Sequence, residues 1–561
     1  MAVYGKSIPF SDRSFAMSFF TQALSRGCRW ASGMGLPYIG KNLGVYSRAS
    51  RSFATTSSGV RPYSPVYNQR MAYSTFRAHP NGGGSTMHKT RHIGLVLLLG
   101  VLLGVGSYAY ASDETFSKAV EQLQPVTSSA MKGVDWVRLC TSQYPEILWL
   151  ADENVRKTEE GRASLQGAYS EQLFGRKFIE FDRTIMTLHC LGLILDGSEQ
   201  AYQEFTKAQP EDAKLSRKSF NKLHVQGTSL LRSMPQMSEL EVIQAIETSL
   251  VLGDIGKSET AREVFKPYGA KAPDHDDFHE EVMQILQKHP ELCPTFNRLS
   301  PSGKQLLSET ANLAHYGHIT HIEGGPSMFS KLKQSNLPSN SLVAFSFDFF
   351  VHTCDVAGAL GHVNNQSSLV YTESSHLAMQ GVLESCKVLG TPHKTEVDAY
   401  NAYLAIRAGW LGLNADDRTD RALTRMGAML RLFTPEEGAV LKQAVSKLPS
   451  DVRTKIIEQL DIRKGEELAR TPTYMPAVLV NLANNPTLGS SKDERISQAV
   501  ILGLPFIARV LETHKQYLAS LEADSAIPLN FNKAAEVAKT NPSALNGKYT
   551  IDAEGNVCVT S

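Results

Sequence analysis

The chain of 561 residues balances 57 Lys and Arg against 56 Asp and Glu, a formal net charge of +1, and is 42% hydrophobic, enough for one or two sizeable cores. Its seven cysteines, at 28, 140, 190, 293, 354, 386 and 558, form no CxxC pair, which argues against a zinc ribbon or a thioredoxin-type redox site. There is no GxxxxGK[ST] loop, no HExxH and no glycine spacing for a dinucleotide turn.

The near-zero charge hides two opposite parts. Residues 1–91 carry twelve basic side chains and one acid, Asp12, among many Ser, Tyr, Gly and Pro; residues 92–561 carry 45 basic and 55 acidic side chains. An Arg-rich, Ser-rich, acid-poor start is the composition of a mitochondrial presequence rather than of a packed domain, and "SRASRSFATTSSG" is similar to a matrix-processing site. An acidic remainder without a basic aromatic stripe disfavours nucleic acid as a partner.

Residues 93–111, "IGLVLLLGVLLGVGSYAYA", are uncharged. At 1.5 Å per residue they reach about 30 Å, close to the hydrocarbon thickness, and they predict one membrane helix over 92–111. Basic residues before it keep the amino-terminal side in the matrix or cytoplasm, with residues 112 onward across the membrane. The expected location is the mitochondrial inner membrane, with the bulk of the chain in the intermembrane space. The alternative is a secretory signal beginning at Met87 and ending in the small-x-small pattern "SYAYA".

Beyond the membrane segment the pattern is helical nearly throughout, and the expected class is all-α. "FGRKFIEFDRTIMTLHCLGLIL", "ELEVIQAIETSLVL", "EEVMQILQKH" and "AYNAYLAIRAGWLGL" repeat apolar residues at intervals of three and four. In "LFTPEEGAVLKQAVSKL", Thr434 reads as a cap, Pro435 as a first-turn residue and Glu437 as its capping-box partner. Strand-like alternation is confined to the tail, where "KYTID" and "VCVTS" flank "AEGN" and predict one hairpin. The expected organisation is a helical segment over 112–208, a core over 209–390, a helical extension over 391–545 and the hairpin over 546–561. If this part faces an oxidising space, the six cysteines beyond the leader are open to pairing, and the sequence does not choose the pairs.

Nine of the sixteen histidines fall between His224 and His362, alternating with carboxylates. Imidazole and carboxylate together suit iron, manganese or zinc, and a metal-bound water is a good nucleophile towards a phosphoester. The motifs "KLHVQGTSLL", "LGDIGKS", "KHPEL", "HYGHITHIEGGP" and "HTCDVAGAL" carry this stretch. Their order and spacing resemble the HD-domain metal-dependent phosphohydrolase superfamily, in particular its HD-GYP branch, from His224 to Asp355.

The resemblance implies an HD-like helical core in which His224, Asp254, His289, His315, His318 and Asp355 are metal ligands, with His321 adjoining them. The intervals from His224 through Asp254, His289 and His315 to Asp355 are 30, 35, 26 and 40 residues. Lys257 of "DIGKS" is the candidate to steady a phosphate. The family's His-Asp doublet reads Gly253-Asp254 here, so one imidazole is missing, and Cys293 stands where glycine is common. The stretch "APDHDDFHEEV", with His275, Asp276, Asp277 and His279, reads either as a substitute donor or as an acidic helix start, where Asp suits the positive end of the dipole.

Two classes of function follow. One is a membrane-tethered domain holding a divalent metal (iron, manganese or zinc) and hydrolysing a phosphoester. The other is a catalytically inactive HD-like helical binding or scaffold protein of a mitochondrial membrane.

Overall fold

In the computed structural model, residues 133–152, 167–234, 236–272, 275–311, 316–335, 342–462, 472–518 and 527–560 are described, apart from the side chains of residues 318 and 518. The predicted leader, the predicted helix over 93–111 and His315 lie outside the described residues, as does the side chain of His318. The described part is all-α except for one two-stranded hairpin.

Two hydrophobic clusters organise the helices. The first gathers buried side chains from Trp136 to Leu404, together with Ala428, so the expected segments 112–208 and 209–390 share one core. Its centre is α1 (Ile179–Asp196), buried over almost its whole length and stopped by Gly197, whose φ of 65° favours glycine. Around it stand α2 (Arg217–Ser233), capped by Ser216, and α3 (Glu239–Leu252), closed by a Ser238/Glu241 capping box. Helix α4 (His275–Leu286) and helix α5 (Leu342–Gly358) complete the surroundings of the site described below.

Helices α1 and α5 run antiparallel at very short range. A Cβ on Gly358 would overlap Thr187, and one on Gly361 would overlap the Asp182 carbonyl and the Met186 side chain, so glycine is required at both places.

The second cluster runs from Leu411 to Val557. Here Thr434 accepts from the Glu437 amide, Glu437 reaches back to the Thr434 amide and Pro435 occupies the first turn, as the sequence predicts. The hairpin pairs Lys548–Ile551 with Val557–Thr560, with Lys548 opposite Thr560. Among the described residues one helix is long and apolar enough to cross a membrane by length and composition, Lys492–Tyr517. Much of it is buried in this second cluster, where Val500, Leu504, Ile507 and Leu511 are core residues.

Candidate functional site: a buried charge cluster

Helix α3 ends at Gly253, and the next residues, "DIGK", form a single tight turn over Ile255–Lys257. A three-residue turn returns the chain to the same side, so Lys257 swings back and its Nζ lies 2.8 Å from Asp254 Oδ1. The turn presses against α4 so closely that a Cβ on Gly256 would overlap the His275 carbonyl, which explains the glycine of "DIGKS".

The first turn of α1 meets this turn. Glu180 Oε2 accepts from Lys257 Nζ at 3.0 Å, and both Glu180 oxygens accept from Arg183 Nη1 at 2.9 Å, a pairing that i, i+3 spacing on a helix allows. Glu180 is 5% exposed, Arg183 2% and Asp254 9%, so the network is largely out of water. Nε and Nη2 of Arg183 have no hydrogen-bond partner among the described residues; its guanidinium is drawn electrostatically towards Asp254 and Asp355.

Asp355 enters from α5 and is half-buried. Burial, together with repulsion from Asp254, pushes its pKa up to about 8 against the attraction of Arg183 and Lys257. Asp254 goes the other way: burial disfavours its charge, but Lys257 and Arg183 hold its pKa below the ordinary carboxylate value. His279 of α4 lies within electrostatic reach of Asp254, and burial lowers its pKa to about 4, so its imidazole is neutral near pH 7.

The α5 face continues through Asp348 and His352, about two turns and one turn before Asp355. Tyr316 Oη donates to Asp348 Oδ2 at 2.6 Å. Burial raises the Asp348 pKa to about 7, opposed by that hydrogen bond, and lowers the His352 pKa to about 3.

Of the sequence-predicted residues, Asp254, Lys257 and Asp355 come together, and His224 and His289 make no interaction with them. His224 Nδ1 lies 3.1 Å from the Ile194 carbonyl and packs on Gly197 at the far end of α1. His289 pairs with Glu291 at 3.2 Å and lies against the Tyr268 ring. His321 is buried, at 4% exposure, at the end of the short helix that begins with Tyr316. Among the described residues no group of three or more His, Cys, Asp or Glu is disposed to hold a metal ion.

Sequence reasoning missed Glu180 and Arg183. The signal was present in "FIEFDRTIM": charges inside an otherwise apolar helical run are buried with partners or they do not persist there.

Residues 138–542, more than two thirds of the chain, match a family described as "Family of unknown function (DUF6829)". No curated protein and no solved structure matches the chain.

Proposed function

We propose that this chain, which belongs to the DUF6829 family, is a membrane-tethered HD-like helical protein whose charge cluster serves a binding or scaffolding role without turnover. Arg183 and Lys257 supply the positive charge that a divalent metal supplies in the superfamily it resembles. The observation that carries this reading is Lys257 Nζ bridging Asp254 at 2.8 Å and Glu180 at 3.0 Å. Carboxylates held away from water need compensating charge, and here two side-chain cations provide it.

The residues present fit a divalent metal poorly. Oδ1 of Asp254 is engaged by Lys257, His224 faces a backbone carbonyl, and His289 is paired with Glu291. Gly253, where the superfamily has histidine, brings no imidazole. Residues 93–111 tether the domain to the mitochondrial inner membrane in this reading, with the bulk of the chain in the intermembrane space and protein partners bound there.

A second reading, metal-dependent hydrolysis of a phosphoester, draws support from one arrangement. Asp355 and His279, from two different helices, both come within electrostatic reach of Asp254, which is held beside the cations of Lys257 and Arg183. It requires Lys257 to leave Asp254.

Metal analysis of the full chain purified in detergent, with a phosphodiester hydrolysis assay, separates the two. The scaffold reading expects metal far below one equivalent and no turnover above background. Near-stoichiometric iron, manganese or zinc with metal-dependent hydrolysis overturns it in favour of the second.

A further inference from the structure

Cys190 of α1 and Cys354 of α5 are fully buried free thiols, and Cys190 is close enough to add to the burial that raises the Cys354 pKa. Their helices cross at Thr187 and Gly358. Because a Cβ on Gly358 would overlap Thr187 Oγ1, N and Cα, and a Cα–Cβ bond is about 1.5 Å long, the Cα atoms of Thr187 and Gly358 lie within about 4 Å of each other.

The register is fixed on both sides of this point. Gly361 touches Asp182 and Met186, and further along Phe350 and Leu195 meet against the same Gly227. In that antiparallel register, one turn from Gly358 is Cys354, and one turn from Thr187 is Cys190. They face each other.

Packed helices cross at about 20–50°, and a step of one turn, about 5.4 Å, then widens a gap of about 4 Å to about 4.4–6 Å. A disulfide needs Cα atoms about 4.4–6.8 Å apart. The remaining buried thiols have other neighbours: Cys293 donates to Glu146, Cys140 feels Glu247, and Cys386 lies near Ser385 and Asp348.

We propose that Cys190 and Cys354 are the disulfide partners of this fold, joined when the chain folds in an oxidising compartment. The bond would staple α1 to α5 beside Asp355. Two thiols and one small-molecule disulfide give the Cys190–Cys354 bond and two small-molecule thiols: the protein sulfurs lose two electrons and two protons, and the added disulfide is reduced. Both sulfurs are fully buried, which keeps thiol and disulfide reagents away once the core has closed, so the bond belongs to the folding reaction rather than to a reversible switch. The inference goes beyond the scaffold reading and does not depend on it.

The test uses the full chain, unfolded with reductant and refolded in detergent in a glutathione redox buffer, followed by digestion without reduction and differential alkylation. The expected result is a peptide containing Cys190 joined to one containing Cys354, with Cys140, Cys293 and Cys386 alkylated as free thiols. The oxidised protein should melt several degrees above the reduced one, because the bond closes a very long loop, and this difference should vanish in Cys190→Ala and in Cys354→Ala. Recovery of folded protein with Cys190 and Cys354 both alkylated as free thiols overturns the proposal, as does a melting difference that survives in both variants.

Discussion

Lys257 Nζ stands 2.8 Å from Asp254 Oδ1 across a single tight turn, and the same ammonium reaches Glu180 at 3.0 Å on another helix. One side chain thus ties the end of α3 to the start of α1. Lys257→Met should remove the tie and leave two carboxylates short of a counter-charge. Breaking a buried pair costs about 3–5 kcal/mol, and partial exposure of Lys257 brings the expected loss to about 2–4 kcal/mol. Urea unfolding at pH 7 measures it. A loss under about 0.5 kcal/mol, the size of an ordinary surface change, shows that the bridge contributes little.

Gly358→Ala tests the closeness of α1 and α5. The added methyl would overlap the backbone of Thr187 as well as its hydroxyl, which is itself held by the Arg183 carbonyl at 3.0 Å, so no side-chain rotation relieves the clash. Overpacking of this kind costs about 1–3 kcal/mol or more. An unchanged urea midpoint for Gly358→Ala would sink the tight crossing and, with it, the register that pairs Cys190 with Cys354.

Sequence patterning carried much of this architecture and part of the site. Capping residues such as Ser238, Thr434 and Glu437 act locally, so the helix starts they mark are legible from neighbours in the chain. Asp254 and Lys257 are three residues apart in one turn, and their pairing is equally local. His224 and His289 show where such reasoning fails, because spacing along the chain does not say which way a side chain faces on a helix or in a turn. Glu180 and Arg183 were hidden for the opposite reason: Lys257, the second partner of Glu180, lies far away in sequence, and a charged i, i+3 pair reads first as a solvated face.

Asp348 gives a pH dependence with a definite sign. Its pKa is raised to about 7 in the folded protein from an ordinary value of 3.8, chiefly by burial, so the folded state holds a proton that the unfolded state has released between those values. Its contribution is fully present below about pH 4 and is lost as the pH rises through 7, with a slope approaching about 1.4 kcal/mol per pH unit. Asp348→Asn keeps an amide beside Tyr316 and removes the titration. The stability difference between wild type and variant should therefore shift in favour of the variant as pH rises from 4 to 8. A difference independent of pH would mean that Asp348 does not carry the proton.

Gly253→His asks whether an imidazole at the position of the superfamily's histidine changes metal binding. The backbone at Gly253 is helical, with φ of −56° and ψ of −36°, and an added Cβ would lie 3.3 Å from the Ser249 carbonyl oxygen of its own helix, so a side chain needs only a small local adjustment. Under the scaffold reading Lys257 still occupies Asp254, and the folded variant should show no more bound metal than wild type by mass spectrometric metal analysis. A rise to near stoichiometry would mean that one ligand was all the site lacked, and it would favour the hydrolase reading.

The leader predicts its own destination. A matrix-directed presequence is drawn by the negative-inside potential, worth about 2.3 kcal/mol per charge per 100 mV, and the twelve basic side chains against one acid in residues 1–91 supply that charge. On the proposed reading the uncharged stretch over 93–111 would then arrest or sort the chain and leave the acidic part in the intermembrane space, where an oxidising environment would also serve the proposed Cys190–Cys354 bond. The secretory alternative needs translation to begin at Met87, which makes everything before it irrelevant. A fluorescent reporter fused after residues 1–111 should enter mitochondria, and the same fusion lacking residues 1–86 should not. Reporter in the secretory pathway from the complete leader would reverse the assignment, because the basic segment would then have been present and without effect.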